Sequence, residues 1–125
     1  MSKILLIDDD VKIRGIYREA LEGEGYTVLD AKDWDDGTTL LGENPDIDLV
    51  LLDIQMSPMM GDTLYRAIRL YDPNIRIVMF SVYPIEEQRR LVVKADDYFD
   101  KSDGVDVLMN KVRQVLGIRI MASEC

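Results

Sequence analysis

Five short apolar runs punctuate the chain: KILLI (3–7), YTVLDA (26–31), IDLVLLD (47–53), IRIVMFS (75–81) and DDYFD (96–100). They are rich in Ile, Val, Leu and Tyr and have the length of strands. The segments between them carry helical spacing. Ile13, Ile16, Tyr17, Ala20 and Leu21 fall on one face of 11–24, and Leu64, Ala67, Ile68 and Tyr71 on one face of 60–71. Residues 105–118 place Val105, Leu108, Met109, Val112, Val115 and Leu116 on one broad stripe, while 34–43 and 85–95 read as shorter, weaker helices. Gly25, Pro45 and Pro73 each separate a helical segment from the next strand. Strand and helix thus alternate five times. Near-continuous apolar strands predict a sheet covered on both faces, and the alternation predicts parallel βα units in an α/β, doubly wound fold.

The length of 125 residues fits one domain, read here as 1–120 with a short tail at 121–125. No stretch approaches the roughly 20 apolar residues of a membrane helix, and the start resembles no signal peptide. The single cysteine, Cys125, permits no internal disulfide, so a reducing cytoplasm is the expected setting. The formal charge of −9 argues against direct grip on nucleic acid and favours cations or basic partners. The absence of histidine removes His metal sites, His bases and His phosphocarriers together. Because 17 of the 24 acids are Asp, residue type alone singles out none of them, and position must decide.

In a sheet of this kind ligands bind beyond the carboxyl ends of the strands. The first strand ends in Asp8, Asp9 and Asp10, the third in Asp53, the fourth in Ser81, and Lys101 follows the fifth. No Gly-rich phosphate loop follows the first strand, which disfavours an ordinary nucleotide fold. Two or three carboxylates at one rim suit a hard cation such as Mg²⁺ with oxygen ligands. A carboxylate can also attack phosphorus, a lysine can pair with phosphoryl oxygens, and a hydroxyl at Ser81 can hydrogen-bond the phosphate formed. Asp10 is better placed to cap the helix that starts near Val11.

On Asp8-Asp9, Asp53 in LVLLDIQM, Ser81 closing IVMFS, and Lys101 in ADDYFDK with Tyr98 three residues earlier, the chain resembles a response-regulator receiver domain of two-component signalling over essentially its full length. The resemblance implies a flavodoxin-like sheet of order 2-1-3-4-5. It implies phosphorylation of Asp53 by a sensor histidine kinase or phosphotransfer protein, and Mg²⁺ held by Asp8, Asp9, Asp53 and the Gln55 carbonyl. Lys101 would contact the phosphoryl group. Ser81 and Tyr98 would act as the switch, and the output face would run from 85 to 118, toward an effector domain or protein or a homodimer. The chain would modify only itself and would not be a turnover enzyme.

Three places depart from the family pattern. Ser57 stands where proline is usual, with Pro58 one later and Gly61 in the family's place. Val82 replaces a small residue after the hydroxyl and is expected to slow phosphoryl exchange. Ser102 replaces the proline after the lysine and leaves the cis or trans state of that peptide open. Tyr83, beside the attacking water's position together with Gln55, is expected to prolong the phosphorylated state.

Two other readings compete. One is a receiver-like module that binds partners without phosphorylation. The other is a phosphatase of the haloacid dehalogenase type using Asp8 and Asp10, with Ser81 and the Asp96-Asp97 pair, although Lys12 occupies a place where Thr or Val is expected. Met56, Met59 and Met60 read as loop packing and Trp34 as the anchor of the second helix. Arg89, Arg90 and Lys94 with Asp96 and Asp97 read as a mixed-charge surface.

Overall fold

The computed structural model describes residues 2–53, 58–92 and 95–124, with side chains except at 58–62, 64 and 118–124. Five strands, β1 (Lys3–Ile7), β2 (Thr27–Ala31), β3 (Leu49–Asp53), β4 (Arg76–Ser81) and β5 (Asp97–Asp100), form one parallel sheet in the order β2-β1-β3-β4-β5. Five α-helices connect or follow them: α1 (Val11–Gly23), α2 (Trp34–Glu43), α3 (Pro58–Tyr71), α4 (Ile85–Leu91) and α5 (Val105–Glu124).

The period-2 alternation of strand side chains divides the core into two layers. Ile4, Leu6, Leu49, Leu51, Val78, Phe80 and Phe99 point toward α1 and α5, where Tyr17, Leu21, Leu108, Met109 and Val112 cover them. Leu5, Ile7, Val50, Leu52, Ile77, Met79 and Tyr98 point the other way, against Leu41, Ile68 and Val92. Both faces of the central strands are sealed, which is why their sequences show no polar alternation. Trp34 packs against this second layer and anchors α2.

Local chemistry sets the helix ends. The Asp10 carboxylate accepts from the N–H groups of Lys12 and Ile13 at 2.9 and 3.3 Å and caps α1. Gly25, at φ 97°, closes α1: the Tyr26 N–H returns to the Leu21 carbonyl and the Gly25 N–H to Glu22. A Cβ at Gly37 would lie 2.7 Å from Ile7 Cδ1, so a side chain there would displace that of Ile7 where α2 meets β1.

Two helices differ from expectation. α4 ends at Leu91 rather than 95, because Val92 adopts extended geometry and buries its side chain completely. α5 runs through Glu124, six residues past the expected end at 118, because Gly117 keeps helical backbone instead of turning the chain out at positive φ as Gly25 does.

Candidate functional site

The parallel register places the site. Ile7 pairs with Leu52 and Asp53 with Phe80, so Asp8 and Asp53 emerge side by side where strand order reverses between β1 and β3. Both belong to the α1/α5 side and both are buried, at 0% and 1% exposure. Asp9 is exposed above them. One oxygen from each of the three carboxylates falls within a 4.8 Å group.

Lys101 reaches this group from beyond β5. Its Nζ lies 3.3 Å from Asp8 Oδ2 and 3.2 Å from Asp53 Oδ2, and 5.0 Å from the centre of the Phe80 ring. Three carboxylates and one ammonium leave two formal negative charges, at a place where burial strengthens repulsion. The backbone around the acids is held firmly. Asp8 accepts at Oδ1 from the Asp10 N–H (2.9 Å), its N–H donates to Ala31 O (3.1 Å), and Arg14 Nη1 donates to its carbonyl (2.8 Å). Beneath them, the hydroxyl of Tyr17 is pushed up to about 12, first by burial and then by the Asp8 and Asp53 charges. Its ring meets Phe80 and Phe99 edge-on at 5.7 and 6.2 Å.

Ser81 is fully buried on the opposite side of the sheet, and its Oγ accepts from the Tyr83 N–H at 3.1 Å. Tyr98 is also buried, on that same side. Its hydroxyl donates to Val92 O and accepts from the Ala95 N–H at 3.2 Å, and Arg89 stacks on its ring at 5.6 Å. Burial, above all, raises the pKa of this hydroxyl. Val82 stands exposed at the rim, and Tyr83 packs on the second core layer.

The Lys101–Ser102 peptide is trans. Lys101–Asp103 forms a 3-10 turn capped by Asp100, whose Oδ1 accepts from both the N–H and the Oγ of Ser102, at 2.9 and 2.7 Å. Gly104, at φ 89°, then turns the chain into α5. Serine after the lysine thus supplies two donors that proline lacks.

Gln55, Met56, Ser57 and Lys94 lie outside the described residues, as do the side chains of Met59 and Met60. The charges expected on the output face are used within the chain: Asp96 pairs with Arg69 (3.0 Å) and Arg76 (3.6 Å), Asp97 with Lys111 (3.6 Å), and Arg90 with Glu87 (3.2 Å). Asp97 starts β5 with Asp96 just before it, one strand length from the acids at the opposite rim, and Asp10 is occupied as a cap. This geometry removes the phosphatase arrangement. Sequence reasoning missed Gln88, which is completely buried. Its place three residues after Ile85 and four before Val92, on the apolar face, was the available signal.

Residues 4–113 match the response regulator receiver domain family. The chain belongs to that family. It is accordingly a signalling domain of two-component systems, and the dehalogenase-type alternative is set aside. This receiver domain is 34% identical over 118 residues to the transcriptional regulatory protein CpxR of Escherichia coli K12, covering 93% of this chain and 50% of that protein. It is 30% identical to sporulation initiation phosphotransferase F of Bacillus subtilis, covering 94% and 96%. Among solved structures, the response regulator TrrA of Thermotoga maritima, in complex with Mg(2+)-BeF, superposes with a TM-score of 0.81 at 30% identity, covering 92% of this chain and 99% of that one. The receiver domain spans about half the length of the first curated relatives it matches. No helix among its described residues is long and apolar enough to cross a membrane.

Proposed function

We propose that this receiver domain is a phosphorylation-operated switch whose reacting atom is a carboxylate oxygen of Asp53. That oxygen attacks the phosphorus of a phosphohistidine on a sensor kinase or phosphotransfer protein. The P–N bond breaks, its electron pair stays on the imidazole, and Asp53 carries an acyl phosphate. The observation that carries the reading is Lys101, held between two buried carboxylates at the switch point of the sheet. Its ammonium is placed to pair with phosphoryl oxygens as they arrive.

The donor set fits Mg²⁺. Cis and trans oxygens of an octahedral Mg²⁺ shell sit about 3 and 4 Å apart, close to the span of the Asp8, Asp9 and Asp53 oxygens, and three carboxylates beside one ammonium match a divalent ion. Asp8, Asp9 and Asp53 would hold it, with the Gln55 carbonyl as a further ligand. When bound, the ion supplies charge compensation between the nucleophile and the phosphoryl oxygens. The Mg(2+)-BeF complex of the TrrA relative supports this assignment.

Ser81 is the hydroxyl that turns to the phosphoryl group, and Tyr98 reports the change to α4, β5 and α5. That face, residues 85–118, would address an effector domain, a separate protein or a second copy. Because CpxR is twice as long as the matched region, an effector domain in the same polypeptide is one such output. The test is incorporation of phosphate from a small phosphodonor with Mg²⁺. Wild type should be labelled and Asp53→Asn should not. Absence of label on wild type would instead support the phosphorylation-independent binding module, and label at Asp8 would refute the assignment of the nucleophile.

A further inference from the structure

Among the described residues, four polar or charged side chains are buried: Asp8, Asp53, Ser81 and Gln88. The first three belong to the site. Gln88 sits in the middle of α4, a seven-residue helix whose N-cap, Pro84, offers no side-chain hydrogen bond. Its Nε2 donates twice, to Tyr83 O at 2.9 Å and to Phe99 O at 2.7 Å. One amide thereby ties α4 to the loop after β4 and to β5. Its Oε1 is buried and has no partner among the described residues. A buried acceptor left unpaired is unfavourable, and a donor that became free beside it would be taken up.

Such a donor is present in the residue that Gln88 already holds. The Tyr83 N–H is bound to Ser81 Oγ at 3.1 Å, and the Tyr83 carbonyl to Gln88 Nε2. Movement of Ser81 Oγ toward a phosphoryl group on Asp53 withdraws the acceptor of that N–H. We infer that Gln88 is a positioning residue for the Ser81 switch: the Tyr83 N–H passes from Ser81 Oγ to Gln88 Oε1, and the transfer re-seats α4 against β5. The inference rests on the proposed phosphorylation reading for its trigger, but the exchange of partners can be tested without phosphate.

Removal of the Ser81 hydroxyl mimics its departure. In unphosphorylated full chain, NMR amide exchange at Tyr83 is compared in wild type, Ser81→Ala and Ser81→Ala/Gln88→Met. Methionine matches glutamine in length and removes the amide. If Gln88 takes over the N–H, Ser81→Ala retains protection within about threefold of wild type, and the double variant loses about tenfold, the worth of one hydrogen bond. Equal loss in the single and double variants overturns the inference. Should Gln88→Met fail to fold, the scalar coupling across the hydrogen bond from Tyr83 N to Gln88 Cδ in Ser81→Ala decides: present, it supports the exchange, and absent, it overturns it. Failure of phosphate to label Asp53 would strike the phosphorylation reading alone and leave these results standing.

Discussion

Lys101 Nζ lies 3.2 Å from Asp53 Oδ2 although β4 separates their strands. Strands β3 and β5 are about 10 Å apart, so the lysine spans the rim with its ammonium near the face of Phe80. A small change at either end should therefore be felt at the other.

Replacing Lys101 with Met leaves Asp8 and Asp53 buried without their shared cation. Urea unfolding should show a loss of about 3 kcal/mol in metal-free protein, partly recovered with Mg²⁺. An equal loss with and without Mg²⁺ would contradict a shared metal group.

Asp53→Asn should act oppositely. It removes one buried negative charge and leaves Asp8 with Lys101 as a balanced pair. The metal-free variant should be more stable than wild type by about 1 kcal/mol, and added Mg²⁺ should stabilise it less. Thermal unfolding with and without Mg²⁺ checks both.

Tyr17 fixes an alkaline limit. Its hydroxyl rises from 10.0 when free to about 12 in the fold, so the folded state holds its proton more tightly. That stability is fully present below pH 10 and is lost as pH rises through about 12. Tyr17→Phe should flatten the decline of unfolding free energy over this window. A decline as steep in the variant as in wild type would assign it to other groups.

Val82 is 56% exposed, so its truncation should disturb the fold by less than about 0.5 kcal/mol. The rate of phosphorylation by a small phosphodonor should nevertheless rise in Val82→Ala. An unchanged rate would remove Val82 as a barrier to the site.

Ser102→Pro would delete the N–H and Oγ–H that Asp100 accepts. A loss of about 1–2 kcal/mol is expected, and a smaller one for Ser102→Ala, which keeps the N–H. Denaturant midpoints separate the two.

Much of this arrangement is legible in the chain because strands and acids coincide. KILLI and LVLLD are apolar on both faces, so their ends could be placed at one rim before any contact was known. Asp10 could be separated from Asp8 and Asp9 because helix capping needs a carboxylate one residue before Val11. The end of α4 was not legible: a helical pattern over 85–95 says nothing of the extended backbone that sinks Val92 into the core. Tyr98 could be read as a strand residue, but its burial depends on the segment after α4 supplying Val92 O and Ala95 N–H. Gln88 was hidden for a related reason. A polar residue normally marks the wet face of a helix, and only the two carbonyls of Tyr83 and Phe99 make the dry face acceptable.

Lys101 and Asp8 meet across 93 positions of sequence. A nascent or cleaved chain that stops after β3 already carries the acids Asp8, Asp9 and Asp53, yet it lacks the cation supplied after β5. Until the last strand is added, the first half of the fold carries its repulsion unrelieved. Completion of the sheet and placement of the cation are thus a single event, and a polypeptide truncated before β5 holds the three carboxylates without their lysine.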